Sequence, residues 1–269
     1  MSNNVTISVI MGIYNCEETL LESINSLIMQ TYQNFEIIMC DDGSVDNTLE
    51  IAEQLREKYP NKIKLMYNEK NEGLNYTLNK CLKEARGEYI ARMDADDIST
   101  LDRFSIQKDF LDSHPQYAFV SSAMLHFDEN GEWGIWQVKE TPQKEDFIKG
   151  SPFPHAPSMI RKDAFKAVQG YDVSKYLLRV EDYHLWIKMY ARHYRGFNIQ
   201  TPLYKMRDDR DALGRRTFSN RINEVYVKCL AVKMLELPLW NLVFIFRPIL
   251  VGLLPSKLYL HLHRKRLSS

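Results

Sequence analysis

The sequence lacks the cysteine spacing of a zinc-binding or redox protein. Its four cysteines, Cys16, Cys40, Cys81 and Cys229, are scattered along 269 residues. Zinc ribbons and redox dithiols need cysteines only a few positions apart, so both classes are excluded. We expect buried free thiols in a reducing compartment.

The chain also lacks a surplus of charge of either sign and a long apolar run, and we expect no leader. Lys plus Arg and Asp plus Glu each number 35, so no basic excess favours binding of nucleic acid. No uninterrupted apolar run of about 18 residues predicts a membrane-spanning helix. The polar first six residues do not resemble a signal peptide, so we expect a cytoplasmic location.

Strand and helix patterns alternate through the first 115 residues. Short apolar runs rich in β-branched residues predict buried strands, and helical periodicity follows each of the first three. The predicted strands cover residues 6–13, 35–40, 63–67 and 89–93. This alternation predicts an α/β fold of βαβ units around a mainly parallel sheet.

Polar residues follow each of these four strands. Tyr14 and Asn15 follow the first, Asp41 and Asp42 the second, residues 71–73 the third and residues 94–97 the fourth. Parallel sheets bind ligands beyond the carboxyl ends of their strands, where helix N-termini also point. We therefore expect all four groups on one rim.

The regular alternation stops after residue 113. Strands are predicted over residues 118–127 and 133–138, and a helix over 185–191, preceded by Glu181 and Asp182. We predict one catalytic domain over residues 1–207, with a nucleotide-binding half at 1–115 and an acceptor and catalytic half at 116–207. Residues 208–269 then form a helical, apolar and basic extension.

Asp94-Ala95-Asp96 has the pattern of a divalent-metal site. Two carboxylates one residue apart at a strand end point to the same side and repel each other unless a cation or donor neutralises them. Mn²⁺ or Mg²⁺ shared with a diphosphate would do so. The alternative is an acidic loop at the start of a helix, with Asp97 or Ser99 as a cap.

Asp41 and Asp42 offer a second pair of carboxylates on the same rim. One could accept hydrogen bonds from a nucleobase imide or a ribose hydroxyl. The alternative is a strand-to-helix turn in which Gly43 supplies the backbone angle and Ser44 or Asp46 caps the helix. We assign one aspartate to the turn and one to a ligand.

Taken together, the motifs resemble family 2 glycosyltransferases of the GT-A fold. The resemblance covers about three quarters of the chain, from residue 6 to residue 207. The matching segments are 8–15, 26–32, 41–48, 71–73, 87–97 with Arg103, 170–172 and 181–186. It implies a Rossmann-like, mainly parallel central sheet flanked by helices, and transfer of a sugar from a nucleotide-sugar with inversion of configuration.

The resemblance also implies roles for individual residues. It puts Tyr14 beside the base, Asp42 on the base edge, Asp94 on the ribose side and Asp96 on Mg²⁺ or Mn²⁺, with Asp182 as general base. Glu181 would orient Asp182 or the acceptor; the alternative for both acids is favourable charge at a helix N-terminus. The implied nucleotide-sugar-binding residues are Gly12, Tyr14, Asn15, Asp41, Asp42, Asn71, Gly73, Arg92, Asp94, Ala95, Asp96, Arg103 and His155.

Three residues leave questions open at this point. Gly12 stands where some family members have Thr or Pro, which would alter the backbone contact with the donor. His184 stands where many have a second aspartate. Arg207 is either a phosphate ligand, together with Arg215 and Arg216, or part of a solvated basic turn with them.

The C-terminal segment predicts contact with a membrane. After Glu236 no acid occurs, and the stretch 237–254 is the most apolar of the chain. Five cations lie beyond Glu236, namely Arg247, Lys257, Arg264, Lys265 and Arg266. Apolar, aromatic and basic residues together favour peripheral attachment to the anionic cytoplasmic face of the plasma membrane, which suits a lipid-linked acceptor. The alternative is a helical hairpin packed on the catalytic domain or on a second subunit of a homo-oligomer.

Two other functions are weighed against glycosyl transfer to a saccharide or lipid-linked acceptor. An Asp-based phosphohydrolase would place its nucleophile after the first strand, where Asn15 stands. A non-catalytic scaffold would retain the fold without needing Asp96 and Asp182. A dehydrogenase is excluded because no Gly-x-Gly-x-x-Gly follows the first strand.

Overall fold

The computed structural model describes residues 5–208 and 218–245, which form two β-sheets with helices packed around them. The larger sheet has seven strands and the smaller has four. The strands are β1 Ile7–Ile13, β2 Phe35–Asp41, β3 Ile63–Tyr67, β4 Tyr89–Arg92, β5 Ile98–Ser99, β6 Phe119–Ser122, β7 Met124–Asp128, β8 Gly131–Trp136, β9 Met159–Arg161, β10 Gly196–Ile199 and β11 Tyr204–Arg207.

The helices alternate with the strands of the first half, as the sequence predicts. The α-helices are α1 Leu20–Ile28, α2 Thr48–Lys58, α3 Leu74–Glu84, α4 Arg103–Ser113, α5 Lys162–Ala167, α6 Glu181–Ala191, α7 Phe218–Met234 and α8 Leu242–Ile245. Three short 3₁₀ helices lie at Lys144–Ile148, Lys175–Leu177 and Leu239–Asn241.

The large sheet has the order β10-β6-β9-β4-β1-β2-β3. All neighbouring strands are parallel except β9, which runs antiparallel to both β4 and β6. β1 and β2 are buried almost throughout because helices cover both faces of the sheet, and this is why they are continuous apolar runs. The expected mainly parallel sheet flanked by helices is confirmed.

The second half differs from the sequence prediction in its strand boundaries. The predicted strand 118–127 is divided at Ala123 into β6, which joins the large sheet, and β7, which joins the small one. β8 begins at Gly131 instead of residue 133, and α6 begins at Glu181 instead of residue 185. A chain that changes sheets in mid-run keeps its β-type pattern, so periodicity alone could not reveal the division.

The small sheet has the order β5-β11-β7-β8 and lies beside the end of β4. β11 pairs antiparallel with β5 and parallel with β7. At the C-terminal side, α7 packs on α6. Within residues 5–208 and 218–245, no helix has the length and apolar character needed to cross a bilayer. The five cations of the predicted membrane segment lie outside these residues.

Candidate active site

The parallel strands bring the predicted donor-side residues to one edge of the sheet. Ile13 at the end of β1 pairs with Asp41 at the end of β2, and Asp41 pairs with Tyr67 at the end of β3. Because β4 lies on the other side of β1, the turn at residues 94–97 borders the same edge.

Asp41 builds the turn after β2. Its carboxylate accepts hydrogen bonds from the Gly43 N–H at 3.1 Å, from the Ser44 N–H at 3.1 Å and from the Ser44 hydroxyl at 2.5 Å. Gly43 has φ of +73°, which favours glycine at this position. Of the two adjacent aspartates, Asp41 therefore holds the turn.

Asp42 ties β2 to the loop between β3 and α3. Its Oδ1 accepts from Asn68 Nδ2 at 2.8 Å and from the Glu72 N–H at 2.9 Å, and its Oδ2 accepts from the Gly73 N–H at 2.9 Å. Asn71 lies exposed on the loop held in this way. Because Asp42 holds the loop in place, the loop needs no ordering step before a ligand binds at this edge.

The end of β1 contributes an exposed aromatic ring and a strained backbone position. Tyr14 is 47% exposed. Asn15 has φ of +47°, and its side-chain oxygen accepts from the Val45 N–H at 3.0 Å. Gly12 packs against α3, because a Cβ there would lie 3.1 Å from Leu74 Cδ1. The Cβ position of Gly12 thus faces α3.

The turn after β4 carries Asp94, Ala95 and Asp96. The Asp94 carboxylate forms an ion pair with buried Arg92. Main-chain oxygens of the turn accept from α1 and its approach: Asp94 O from Ser23 Oγ at 3.0 Å, and Ala95 O from Thr19 Oγ1 at 3.0 Å. Asp96 is half-buried.

Asp97 and Arg207 lie directly behind this turn. Asp97 is 3% exposed, and its Oδ1 accepts from the Arg207 N–H at 2.7 Å. Burial, followed by the charges of Asp94 and Asp96, raises the pKa of Asp97 well above its usual range. Arg207 Nε donates to Asp96 O at 3.0 Å and Nη2 contacts Glu22 Oε2 at 2.5 Å. The Arg207 side chain therefore fixes protein groups; Arg215 and Arg216 lie outside the described residues.

Arg103 is fully buried, whereas the family resemblance implies that it contacts the donor. Its guanidinium donates to Arg92 O at 2.8 Å, Ser158 O at 3.3 Å and Gln107 Oε1 at 3.1 Å. Burial lowers the pKa of Arg103 to about 10. Arg103 therefore connects the end of β4 to the proline-rich loop.

Glu181 and Asp182 form the first turn of α6. Asp182 Oδ2 accepts from Ser151 Oγ at 3.1 Å. Burial raises the pKa of Asp182 above its ordinary value, although hydrogen bonds from the Tyr183 N–H and Ser151 act against it. Burial and the neighbouring Asp182 charge raise the pKa of Glu181 to about 7. Both acids retain their protons to higher pH than exposed carboxyls.

Asp182 and the turn at residues 94–97 lie close enough to interact electrostatically. The Asp94 charge is among the causes that raise the pKa of Asp182. Burial raises the pKa of the Tyr171 phenol, and the charges of Arg92, Glu181, Asp182 and Asp94 also act on it. The proline-rich loop joins the two regions, because Ser151 Oγ contacts Asp182 and Ser158 O accepts from the Arg92 N–H at 3.0 Å, at the end of β4.

His155 contacts Tyr171. Its Nε2 is 2.7 Å from Tyr171 Oη, and burial lowers the pKa of His155 well below its ordinary value. Sequence reasoning missed Tyr171, Ser151 and Tyr204. The sequence could have indicated Tyr171, because it is the central residue of the family-matching segment 170–172.

The comparisons with known proteins agree with this architecture. Residues 8–169 match the family model described as Glycosyl transferase family 2. EpsE of Bacillus subtilis (strain 168) is named as a glycosyltransferase and is 41% identical to this chain over 266 residues. The match covers 99% of this chain and 96% of EpsE. The chain belongs to glycosyltransferase family 2.

Two further relatives are also named as glycosyltransferases. An Escherichia coli UDP-Gal:alpha-D-GlcNAc-diphosphoundecaprenol beta-1,3-galactosyltransferase is 33% identical over 216 residues, covering 78% of this chain and 76% of its own. The amylovoran biosynthesis glycosyltransferase AmsE of Erwinia amylovora is 30% identical, with 96% of this chain and 98% of AmsE covered.

Solved structures confirm the GT-A fold of the glycosyltransferase. S. aureus TarS 1-349 in complex with UDP-GlcNAc matches with a TM-score of 0.62 at 20% identity, over 97% of this chain and 88% of that one. The mannosyltransferase PcManGT from Pyrobaculum calidifontis, in complex with GDP-Man and Mn²⁺, matches with a TM-score of 0.60 at 19% identity, over 96% and 79%.

The turn at residues 94–97 suits a hard cation only in part. Asp94 and Asp96 offer carboxylate oxygens, which Mn²⁺ and Mg²⁺ prefer. In the part of the chain that the structure describes, no three His, Cys, Asp or Glu side chains gather as a complete ligand set. The residues present fit a cation that takes its remaining ligands from a diphosphate and water.

Proposed function

We propose that this glycosyltransferase moves a sugar, with inversion of configuration, from a UDP-sugar to a hydroxyl of a saccharide or lipid-linked saccharide in the synthesis of a cell-surface polysaccharide. The observation that carries the proposal is the loop 151–158, which contacts Asp182 through Ser151 and contacts Arg92, the ion-pair partner of Asp94, through Ser158. A donor held at the 94–97 turn would then lie within reach of a base at the start of α6.

Asp182 acts as the general base in this proposal. An acceptor hydroxyl is a poor nucleophile near neutral pH, and a carboxylate that removes its proton during attack activates it. Attack from the face opposite the departing diphosphate inverts the configuration. Ser151 orients the Asp182 carboxylate through their 3.1 Å hydrogen bond, and Glu181 next to it sets the local charge.

The donor side supplies the binding surface. Tyr14 would lie beside the nucleobase, and Asp42 would bind the edge of the nucleobase. Asn71 and Gly73 would form the loop over it, and Asp94 would contact the ribose side. UDP is the preferred nucleotide because the E. coli relative is named for UDP-Gal and a TarS structure contains UDP-GlcNAc.

The proposed site includes a divalent cation bound by Asp96. When bound, Mn²⁺ or Mg²⁺ would stabilise negative charge on the diphosphate. Asp96 would hold it, and main-chain contacts of the turn would keep Asp96 in place. Arg92 neutralises the neighbouring Asp94, which lowers the repulsion between the two carboxylates.

The acceptor is proposed to reach the enzyme at a membrane. At the end of the described chain Leu239, Trp240 and Val243 are exposed, with Trp240 65% exposed. Arg247 and the four further cations follow with no acid, which suits an anionic cytoplasmic leaflet. The name of the E. coli relative includes a diphosphoundecaprenol acceptor.

A panel of UDP, GDP and ADP, each with Mn²⁺ and with EDTA, tests donor and metal by thermal shift. We expect UDP with Mn²⁺ to raise the melting temperature most. Asp96→Asn should lose the Mn²⁺-dependent part, whereas Asp109→Asn, on the exposed face of α4, should not. Equal shifts with Mn²⁺ and EDTA would contradict the metal requirement.

Flotation with anionic liposomes tests the membrane contact. The full chain should float and a chain ending at residue 236 should not. Equal failure to float would contradict the anchor, and a change from dimer to monomer on truncation would assign the segment to a second subunit.

A further inference from the structure

β11 makes contacts with the turn at residues 94–97 that the sheet itself cannot supply. β4 ends at Arg92, so the turn lies beyond the ladder of strand hydrogen bonds. β11 pairs with β5 immediately after the turn, at Tyr204 with Ser99 and Lys205 with Ile98. A strand from the end of the catalytic region therefore lies against the donor-side acids.

Tyr204 contacts the main chain of the turn through its hydroxyl. The side chain is fully buried, and its oxygen accepts a hydrogen bond from the Asp94 N–H at 3.1 Å. Asp94 is therefore held at its main-chain amide, while its carboxylate pairs with Arg92.

Arg207 provides the second point of attachment. Its main-chain N–H donates to Asp97 at 2.7 Å and its Nε to the Asp96 carbonyl at 3.0 Å. Its Nη2 contacts Glu22 of α1, which anchors the guanidinium on the opposite side of the turn. These contacts hold Asp94 and Asp96 by main-chain atoms and not by the carboxylates that the proposed donor site uses.

We infer that Tyr204 is a positioning residue that, together with Arg207, fixes the turn so that the Asp94 carboxylate meets the ribose side of the donor and the Asp96 carboxylate meets the divalent cation at its diphosphate. This inference rests on the proposed function. Three acids in four residues repel one another, so the turn needs restraint from outside itself. β11 supplies this restraint at Asp94, Asp96 and Asp97.

Tyr204→Phe removes the hydroxyl and keeps the buried ring. The matched control is Tyr190→Phe: Tyr190 is also buried, and its hydroxyl donates to Pro142 O at 2.9 Å. UDP affinity is measured by calorimetry on the full chain, once with saturating Mn²⁺ and once with EDTA. The Mn²⁺ resonance spectrum of the complex with UDP reports the ligand geometry directly.

We expect Tyr204→Phe to weaken UDP binding about tenfold in Mn²⁺ and less than about twofold in EDTA, and to alter the Mn²⁺ spectrum. Tyr190→Phe should change none of these. Arg207→Lys keeps a cation near Glu22 but removes the Nε contact with Asp96, so it should show the same pattern at smaller amplitude. It serves as the test if Tyr204→Phe does not fold.

Three outcomes contradict the inference. Equal losses in Mn²⁺ and EDTA would mean that Tyr204 supports the fold generally, and equal losses in Tyr204→Phe and Tyr190→Phe would mean the same. Unchanged affinity would mean that the turn orders itself. If the wild-type protein binds GDP but not UDP, the proposed donor is wrong, and the same comparison of variants made with GDP still decides the role of Tyr204.

Discussion

The carboxylates that follow β2 and those at the start of α6 lie in different environments. On the donor side, Asp41 and Asp42 each accept several hydrogen bonds from main-chain N–H groups and neighbouring side chains. On the acceptor side, burial dominates Glu181 and Asp182 and raises the pKa of both. The carboxylates of Asp41 and Asp42 are thus fixed by hydrogen bonds within the protein, whereas those of Glu181 and Asp182 keep a high proton affinity.

The difference follows from the secondary structure. Beyond the ends of β2 and β3 the chain turns, and main-chain amides of those two segments converge on Asp41 and Asp42. At the start of α6, the helix N-terminus also offers amides, and the Tyr183 N–H lowers the pKa of Asp182, but burial has the larger effect. A base needs such an environment, because its proton affinity has to match the working pH.

The largest expected effect comes from Asp182→Asn. Removing the proposed base should lower kcat by about 10³-fold, while UDP affinity in Mn²⁺ stays within about twofold, since the change is confined to the acceptor side. Steady-state transfer and calorimetry check the two quantities. Ser151→Ala is the graded companion: it keeps the carboxylate, so its loss of kcat should be smaller.

Turnover that survives Asp182→Asn would refute the base assignment. Loss of UDP affinity in the same variant would instead show that the donor and acceptor sides are not independent. Hydrolysis of phosphomonoesters by the wild-type protein, without release of UDP from a UDP-sugar, would favour the phosphohydrolase.

Asp42→Asn examines the donor side and should have the next largest effect. An amide cannot accept at both positions, so either Asn68 and Glu72 or Gly73 lose their partner, and an N–H group then faces a donor. We expect the free energy of unfolding to fall by about 2 kcal/mol and UDP affinity to fall with it. Urea denaturation measures the former, and Asp109→Asn on α4 is the control.

Much of the donor side could be predicted because it depends on local signals. Strands with continuous apolar runs, each followed by polar residues, predict where a parallel sheet presents its ligands, and the structure has Asp41, Asp42 and Asn71 at that edge. The division of Asp41 and Asp42 into a turn residue and a second residue agrees with the three hydrogen bonds that Asp41 accepts within its own turn.

Contacts between distant segments could not be predicted in this way. Arg103 belongs to the motif, yet its guanidinium meets carbonyls that are distant in sequence, such as Ser158 O. Tyr204 contacts Asp94 across 110 positions, and no periodicity encodes such a pair. The same limit explains why β6 and β7 were predicted as one strand.

Glu181→Gln should have the smallest effect, and its sign distinguishes a buried acid from an ordinary helix-capping charge. The pKa of Glu181 is about 7 in the folded protein against an ordinary value of 4.5. Its contribution to stability is therefore complete below about pH 4.5 and is lost as the pH rises through 7. Glutamine stays neutral, so the variant should match the wild type at pH 4.5 and exceed it by about 1 to 2 kcal/mol at pH 8. Urea denaturation at the two pH values measures this, with Glu53→Gln on the exposed face of α2 as control. If Glu181 served only as a favourable charge at the N-terminus of α6, the variant would be less stable than the wild type at pH 8.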